Sequence, residues 1–164
     1  MSDTAYDWRD HLDEAGDFWV EIPAHILDSD GTLIGPATFE VSASAGGPTG
    51  IALAVDLPHP TINCRTAVWF TVDYTQAYAF AFGTATEVTA EPTTAHLPAW
   101  SFHDEPQPVD IQITTDPDQH DWVILNLGDA VLSRDHASAA GLAIIAAWNY
   151  LVLNDPAHSH RRWL

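Results

Sequence analysis

The sequence contains no lysine and few positive charges of any kind. Its 164 residues include five arginines against 23 aspartates and glutamates, so the net charge is −18 with histidine neutral. A chain without lysine cannot supply the lysine of a P-loop, a Schiff base or a kinase active site. Nucleic-acid backbones and anionic membranes attract clustered lysine and arginine. The composition therefore predicts no direct binding to nucleic acid or membrane, and favours neutral or basic partners.

Cysteine is almost absent as well. Cys64 is the only one, which excludes an internal disulfide bond and a thiolate zinc cluster. The acidic first 18 residues lack the apolar core of a secretory signal. The longest uncharged apolar stretch, 137–153, is alanine-rich and short for a membrane span. We therefore expect a soluble cytoplasmic protein.

The periodicity of apolar residues predicts one α+β domain with a mostly antiparallel sheet. Alternation begins at Phe18 and recurs to residue 132, including a predicted strand over 76–89 and a long loop over about 90–108. Residues 133–155 predict a helix, apolar on nearly all sides from 137 to 153 and capped by Ser133, with 156–164 as a tail. We expect this helix to be buried on one face of the sheet.

Residues 1–17 predict a short acidic amphipathic helix, with its periodicity over 3–17. Trp8 and Leu12 would lie on one face. The opposite face would carry a stripe of acids at spacings of three and four residues, consisting of Asp3, Asp7, Asp10, Glu14 and Asp17. Acids at this spacing repel each other along a helix, so the stripe suits a surface that presents charge to a basic partner.

Two short motifs carry possible chemistry. The segment ILDSDGTL, residues 26–33, resembles the D-x-D-G-T signature of the haloacid dehalogenase phosphatases. That resemblance would make Asp28 the nucleophile and Asp30 the general acid/base. The flanking residues alternate as in a hairpin and the chain has no lysine, so we interpret the segment as a turn. DPDQHD, residues 116–121, has acids that could bind a hard cation, but it lacks the glycine and distal glutamate of an EF-hand loop, and we interpret it as a hairpin loop.

These observations favour a non-enzymatic binding module that docks an acidic face on a basic protein. Inhibitors, antitoxin-like or immunity proteins and phage-encoded modulators of a host protein fit this class, and a DNA mimic is its sharper version. The expected contact residues are the acidic stripe together with Trp100, in the predicted loop, and Trp163, near the C-terminus. No catalytic residue, metal ligand or cofactor is predicted.

Two alternatives stay open. One is a small-molecule-binding domain or small enzyme, with an aromatic pocket between sheet and helix, the 90–108 loop as its lid, and His96 and His103 as polar groups. The other is a protein that forms homo-oligomers through the apolar helix at 134–153.

Overall fold

The computed structural model describes residues 7–27, 30, 32–44, 50–57, 64–87, 91–102, 104–119 and 121–154. Within these residues, the strands are β1 (Phe18–Leu27), β2 (Leu33–Ala43), β3 (Gly50–Leu57), β4 (Cys64–Thr71), β5 (Thr93–Ser101), β6 (Pro108–Thr115), β7 (Trp122–Leu125) and β8 (Ala130–Ser133). The α-helices are α1 (Thr75–Thr84), between β4 and β5, and α2 (Arg134–Asn154), after β8. Short 3₁₀ helices cover Trp8–His11, Val72–Tyr74 and Pro117–Gln119.

The eight strands form a closed barrel in sequence order, and each strand is antiparallel to its neighbours. β8 returns to β1 only at His25 and Ile26, beyond Pro23, so the proline lies where β1 has no partner on that side. β4 and β5 pair at two positions only, Val68 with Ser101 and Trp69 with Trp100. The chain between these two strands forms α1, which separates them in sequence.

The hydrophobic core lies between the inner face of the sheet and the two helices. Alternate residues of β1 from Phe18 to Ile26 are buried in it. The stacked rings of Phe70 and Tyr78, 3.9 Å apart between centroids, join β4 to α1. α2 contributes mainly alanine and glycine, which lets α1 approach closely. A Cβ atom at Gly141 would lie only 3.3 Å from the Ala79 carbonyl oxygen.

The structure confirms the α+β class, the mostly antiparallel sheet and the C-terminal helix. The Ser133 Oγ accepts a hydrogen bond from the backbone N–H of His136 at 3.1 Å, which is the predicted N-cap. By length and composition alone, α2 is also long and apolar enough to span a membrane. However, 56% of its most apolar 18-residue stretch is buried inside the fold. That burial fits the predicted core helix.

The acidic helix predicted over 3–17 is not found in the part of that range that the structure describes, which starts at Asp7. Only Trp8–His11 is helical, as a single 3₁₀ turn. After Leu12 the chain turns tightly, with Gly16 at φ +84°, and enters β1. The Asp13 carboxylate accepts hydrogen bonds from backbone N–H groups that an α-helix would pair elsewhere. Repulsion between the closely spaced acids also disfavours a helix here.

Two further predictions are wrong. Within the predicted strand 76–89, residues 76–84 belong to α1, because the alternation of alanine with aromatics conceals a helical period. Tyr78 and Phe82 are buried on α1, while Phe80 between them is 71% exposed. Likewise, 90–108 is not a continuous loop, since it contains β5, which pairs with β6 along eight residues. The sequence analysis also missed β8, a strand of only four residues.

The N-terminal segment is anchored to the fold by aromatic residues. The Trp8 ring lies edge-on to Tyr150 of α2, with 5.7 Å between centroids. The Tyr150 hydroxyl donates a hydrogen bond to the Gly16 carbonyl oxygen at 2.9 Å. These contacts attach the segment to α2 at Trp8 and at Gly16, and Asp10 and Glu14 are exposed between these two points.

Candidate functional site: an acidic cleft on the outer face of the sheet

Large and small side chains face each other in one row across the outer surface of β1 to β5. The register pairs Trp19 with Ser42, Ser42 with Ala52, Ala52 with Trp69, and Trp69 with Trp100. Residues directly opposite in an antiparallel pair are close neighbours. Two small residues therefore lie between tryptophans, which leaves a depression on the sheet.

This depression, which we call the acidic cleft, has a volume of about 230 Å³. Its lining consists of Asp13, Asp17, Phe18, Trp19, Ser42, Ala43, Ser44, Gly50, Ala52, Trp69 and Phe102. Phe102 is half-exposed and Trp19 is 37% exposed. Glycine is required at Gly50, because a Cβ atom there would lie 2.5 Å from the Phe70 carbonyl oxygen and 3.0 Å from the Trp69 ring.

The two carboxylates of the cleft belong to the turn that precedes β1. One oxygen of Asp13 accepts the backbone N–H groups of Ala15 and Asp17, each at 2.9 Å. The Asp13 N–H donates to the Asp17 carbonyl oxygen at 2.8 Å, and the Gly16 N–H donates to the Asp13 carbonyl oxygen at 3.0 Å. This network fixes the backbone of the turn and the Asp13 carboxylate, and it places Asp17 next to Phe18 and Trp19 at the start of β1.

A partly buried ion pair lies on the same outer face. The Arg65 guanidinium donates to the Glu40 carboxylate at 2.7 Å, and Glu40 is only 3% exposed. The same guanidinium lies over the Trp19 ring, 5.7 Å from its centroid. The protein therefore already holds one arginine on this surface by combining an indole face with a carboxylate.

Four of the acids predicted as contact residues lie in the described segment that precedes β1. Asp7, Asp10 and Glu14 are exposed, and Asp17 is partly exposed in the acidic cleft. Asp3 and Trp163 lie outside the described residues, as do Asp28 of the phosphatase-like motif and His120 of the predicted hairpin loop.

The three described arginines leave the acids of the cleft without a cation. Arg9 pairs with Asp7 at 3.2 Å, Arg65 pairs with Glu40, and Arg134 donates to the Thr86 carbonyl oxygen. None of these three contacts involves Asp13 or Asp17. The described arginines therefore do not neutralise the two acids of the cleft.

Trp100 does not lie in a loop as predicted. It belongs to β5, is partly buried, and packs against Trp69 and Tyr74 at centroid distances of 5.6 and 6.2 Å. Its ring therefore contacts Trp69, which lines the cleft. The sequence analysis missed Asp13, Trp69 and Phe102 as site residues. Strand alternation could have found Trp69, because it faces outwards between the buried Val68 and Phe70.

In contrast to the cleft, the surface formed by α1 and α2 is nearly free of charged residues. α1 contains no charged residue, and α2 contains none from Ala137 to Asn154. Phe80 of α1 is strongly exposed, and Ile145 and Leu153 of α2 are partly exposed. We call the surface of α1 and of 137–154 in α2 the charge-free helix face.

His96 lies on β5 and contacts Asp110, whereas the sequence alternative expected it to line a pocket beneath a loop. Its Nδ1 lies 2.9 Å from a carboxylate oxygen of Asp110 on β6, and both side chains are more than half exposed. The hydrogen bond from His96, followed by one from Gln112, lowers the pKa of the Asp110 carboxyl. No hydroxyl or thiol of the described residues is hydrogen-bonded to His96, so the pair lacks a nucleophile. His103 lies outside the described residues.

Burial places Tyr78 in the core instead of a reactive site. Its hydroxyl donates to the Pro98 carbonyl oxygen at 2.8 Å, and desolvation, with a smaller effect of Asp110, raises the pKa of the phenol. Across the described ranges, no three His, Cys, Asp or Glu side chains form a group suited to a metal ion. The aromatic residues between sheet and helices, including Phe39 and Phe82 at 5.8 Å, pack against each other.

No family model, no curated protein and no solved structure matches the chain. The acidic cleft and the charge-free helix face are therefore interpreted from their own geometry.

Proposed function

We propose that this protein is a non-enzymatic binding module that docks its acidic N-terminal end on a basic protein. The observation that carries this proposal is the anchored acidic segment. Trp8 and Tyr150 hold the acids of 7–17 in place beside an aromatic cleft. A charged surface that is already ordered loses little conformational entropy when a partner binds.

The proposal concerns a local contact and not a mimic of DNA. A mimic based on the predicted stripe would need acids repeated along a continuous helix, at about one turn of 5.4 Å. The described helical part of this segment is the 3₁₀ turn Trp8–His11, and 13–17 form a tight turn. The regular spacing on which the DNA-mimic hypothesis relied is therefore absent from the described residues.

The test compares two triple variants of equal net charge, because any strongly acidic protein attracts a basic peptide at low salt. The docking variant replaces Asp7, Asp10 and Glu14 with Asn, Asn and Gln. The control variant replaces Glu87, Asp118 and Asp129, three exposed acids on other parts of the surface, in the same way. The ligand is an arginine-rich dodecapeptide, and affinity is measured by calorimetry at two salt concentrations.

We expect the docking variant to bind the dodecapeptide about fivefold more weakly than the wild type, since exposed charge pairs contribute about 0.2–1 kcal/mol each. The control variant should stay within about twofold of the wild type. The difference between the variants should shrink at high salt, because screening reduces exposed charge interactions. Equal loss of affinity in both variants would mean that binding follows net charge alone and would refute the proposal.

The charge-free helix face supports a second kind of partner, a further copy of this chain. Two molecules of charge −18 repel each other least where both lack charge, and α1 and α2 offer such a surface together with the exposed Phe80 ring. We propose a homodimer through this face. Its test is sedimentation of Phe80→Glu, which should shift the dimer to monomer, with Leu33→Glu, also an exposed apolar residue, as the control. A monomeric wild type would refute this second proposal.

A further inference from the structure

We infer that the acidic cleft is a receptor for one arginine side chain of the basic partner. This inference rests on the proposed function and specifies its central contact. It follows from the cleft's shape, its aromatic walls, its two carboxylates and the arginine that the chain itself places beside it.

The size and the walls of the cleft fit a single planar cationic group. A volume of about 230 Å³ is below the range typical of pockets for drug-sized ligands. Trp19 and Trp69 present indole rings, and Phe102 adds a half-exposed phenyl ring. A guanidinium stacks on aromatic faces through both its charge and its flat shape, whereas an ammonium offers a point charge only.

The carboxylates fit the charge of the same group. Asp13 and Asp17 both line the cleft, and hydrogen bonds within the turn fix the Asp13 carboxylate and the backbone of Asp17. A guanidinium has five N–H donors in a rigid fork and can reach two carboxylates at once. The Ser42 and Ser44 hydroxyls in the lining offer further acceptors.

Arg65 shows that this combination holds arginine on this very face. Its guanidinium lies over Trp19 and donates to Glu40 at 2.7 Å. Arg65 does not line the cleft. The cleft shares Trp19 with this arginine and adds Trp69 and two carboxylates, and none of the described arginines lines it.

The test uses capped tripeptides, acetyl-Gly-X-Gly-amide, in which X is arginine, lysine or citrulline. Citrulline keeps the planar shape of the arginine head group and removes its charge. Binding is followed by NMR through the indole N–H signals of Trp19 and Trp69. Two single variants have equal net charge, Asp17→Asn in the cleft and Asp10→Asn outside it. A third, Trp19→Leu, removes one aromatic wall.

We expect the arginine peptide to shift both indole signals and to bind about fivefold more tightly than the citrulline peptide, with the lysine peptide between them. Asp17→Asn and Trp19→Leu should each weaken the arginine peptide about threefold to fivefold, and Asp10→Asn should weaken it less than twofold. Unfolding curves of each variant verify that the fold is kept. Equal weakening by Asp10→Asn and Asp17→Asn, or equal affinity for arginine and citrulline, would overturn the inference.

The two proposals fail in different ways. If the docking variant loses affinity for the dodecapeptide while the tripeptides do not shift the indole signals, acidic docking stands and the arginine receptor is wrong. If the tripeptide binds with the expected selectivity while the docking and control variants bind the dodecapeptide equally, the cleft is a guanidinium site and the proposed docking surface is wrong.

Discussion

The acidic segment 7–17 and the charge-free helix face differ in charge, but they meet at one residue. Tyr150 belongs to α2, in the stretch without charge, yet its ring and hydroxyl hold the acidic segment in place. Acidic residues are thus frequent in the segment 7–17, which is built from turns. They are absent from α1 and from 137–154 of α2, where the two helices pack closely. A composition bias alone would spread acids over both regions. The docking contact and the dimer contact proposed above both depend on this separation of charge.

The largest effect is expected where the helices touch. Gly141→Leu should lower the free energy of unfolding by about 3 kcal/mol, because the new side chain would push against Ala79 and Phe82 of α1. Gly83→Ala is the control on the same helix pair, since nothing lies within 4 Å of its added Cβ atom. It should be neutral or slightly stabilising. Urea denaturation measures both, and equal losses would show that the close approach is not important.

Breaking the Arg65–Glu40 ion pair should have the next largest effect on stability. Arg65→Met leaves the buried Glu40 carboxylate without its partner and should cost about 2 kcal/mol, a value reduced because Arg65 is about one-third exposed. Arg9→Met changes the net charge equally but breaks an exposed pair, so it should cost less than about 0.5 kcal/mol. A thermal shift no larger for Arg65→Met than for Arg9→Met would contradict the importance of this pair.

The anchoring of the acidic segment should have a smaller effect on stability. Trp8→Ala removes the partly buried ring that contacts Tyr150 and should cost about 1.5 kcal/mol, about half of what a fully buried aromatic residue costs. Leu12→Ala, an exposed position of the same segment, should cost less than about 0.5 kcal/mol. Hydrogen exchange at 13–17 should accelerate in Trp8→Ala only. Unchanged protection there would mean that Trp8 does not fix the turn.

The smallest effect concerns the pH dependence of the exposed Asp110 carboxyl on β6. Because hydrogen bonds from His96 and Gln112 lower the folded-state pKa of Asp110, its stabilising contribution is present above the ordinary aspartate pKa, near 3.9, and is lost as pH falls through the lowered value. His96→Ala should raise the pKa of Asp110 towards its ordinary value, and Gln112→Ala should raise it less. NMR titration of the Asp110 carboxyl carbon tests this order, and a larger rise in Gln112→Ala would reverse it.

The sequence predicts β1 and α2 well, because burial alternates along the whole of β1 and α2 is apolar through most of its length. It fails where two periods coincide. Tyr78, Phe80 and Phe82 alternate as a strand would, but the helical pair Tyr78 and Phe82 is the one that enters the core. It also fails at 13–17, where a single side chain, Asp13, captures the backbone donors.

The candidate site could be predicted only in part. The acids of the N-terminal segment are visible in the sequence, and so are the tryptophans. Their meeting depends on the cross-strand register that brings Trp19 and Trp69 to either side of Ser42 and Ala52. Register between strands far apart in sequence follows from the closed barrel and cannot be derived from local periodicity.

The most direct test of the account is an NMR map of backbone and indole signals during titration with the arginine-rich dodecapeptide at low salt. We predict that the shifts concentrate on 7–19, Trp69 and Phe102 and that they diminish at high salt. Apart from Tyr150, the signals of α1 and α2 should stay unchanged. Shifts spread over exposed acids of the whole surface, with the cleft no more affected than Glu87 or Asp118, would contradict the claim that the acidic end is the docking site.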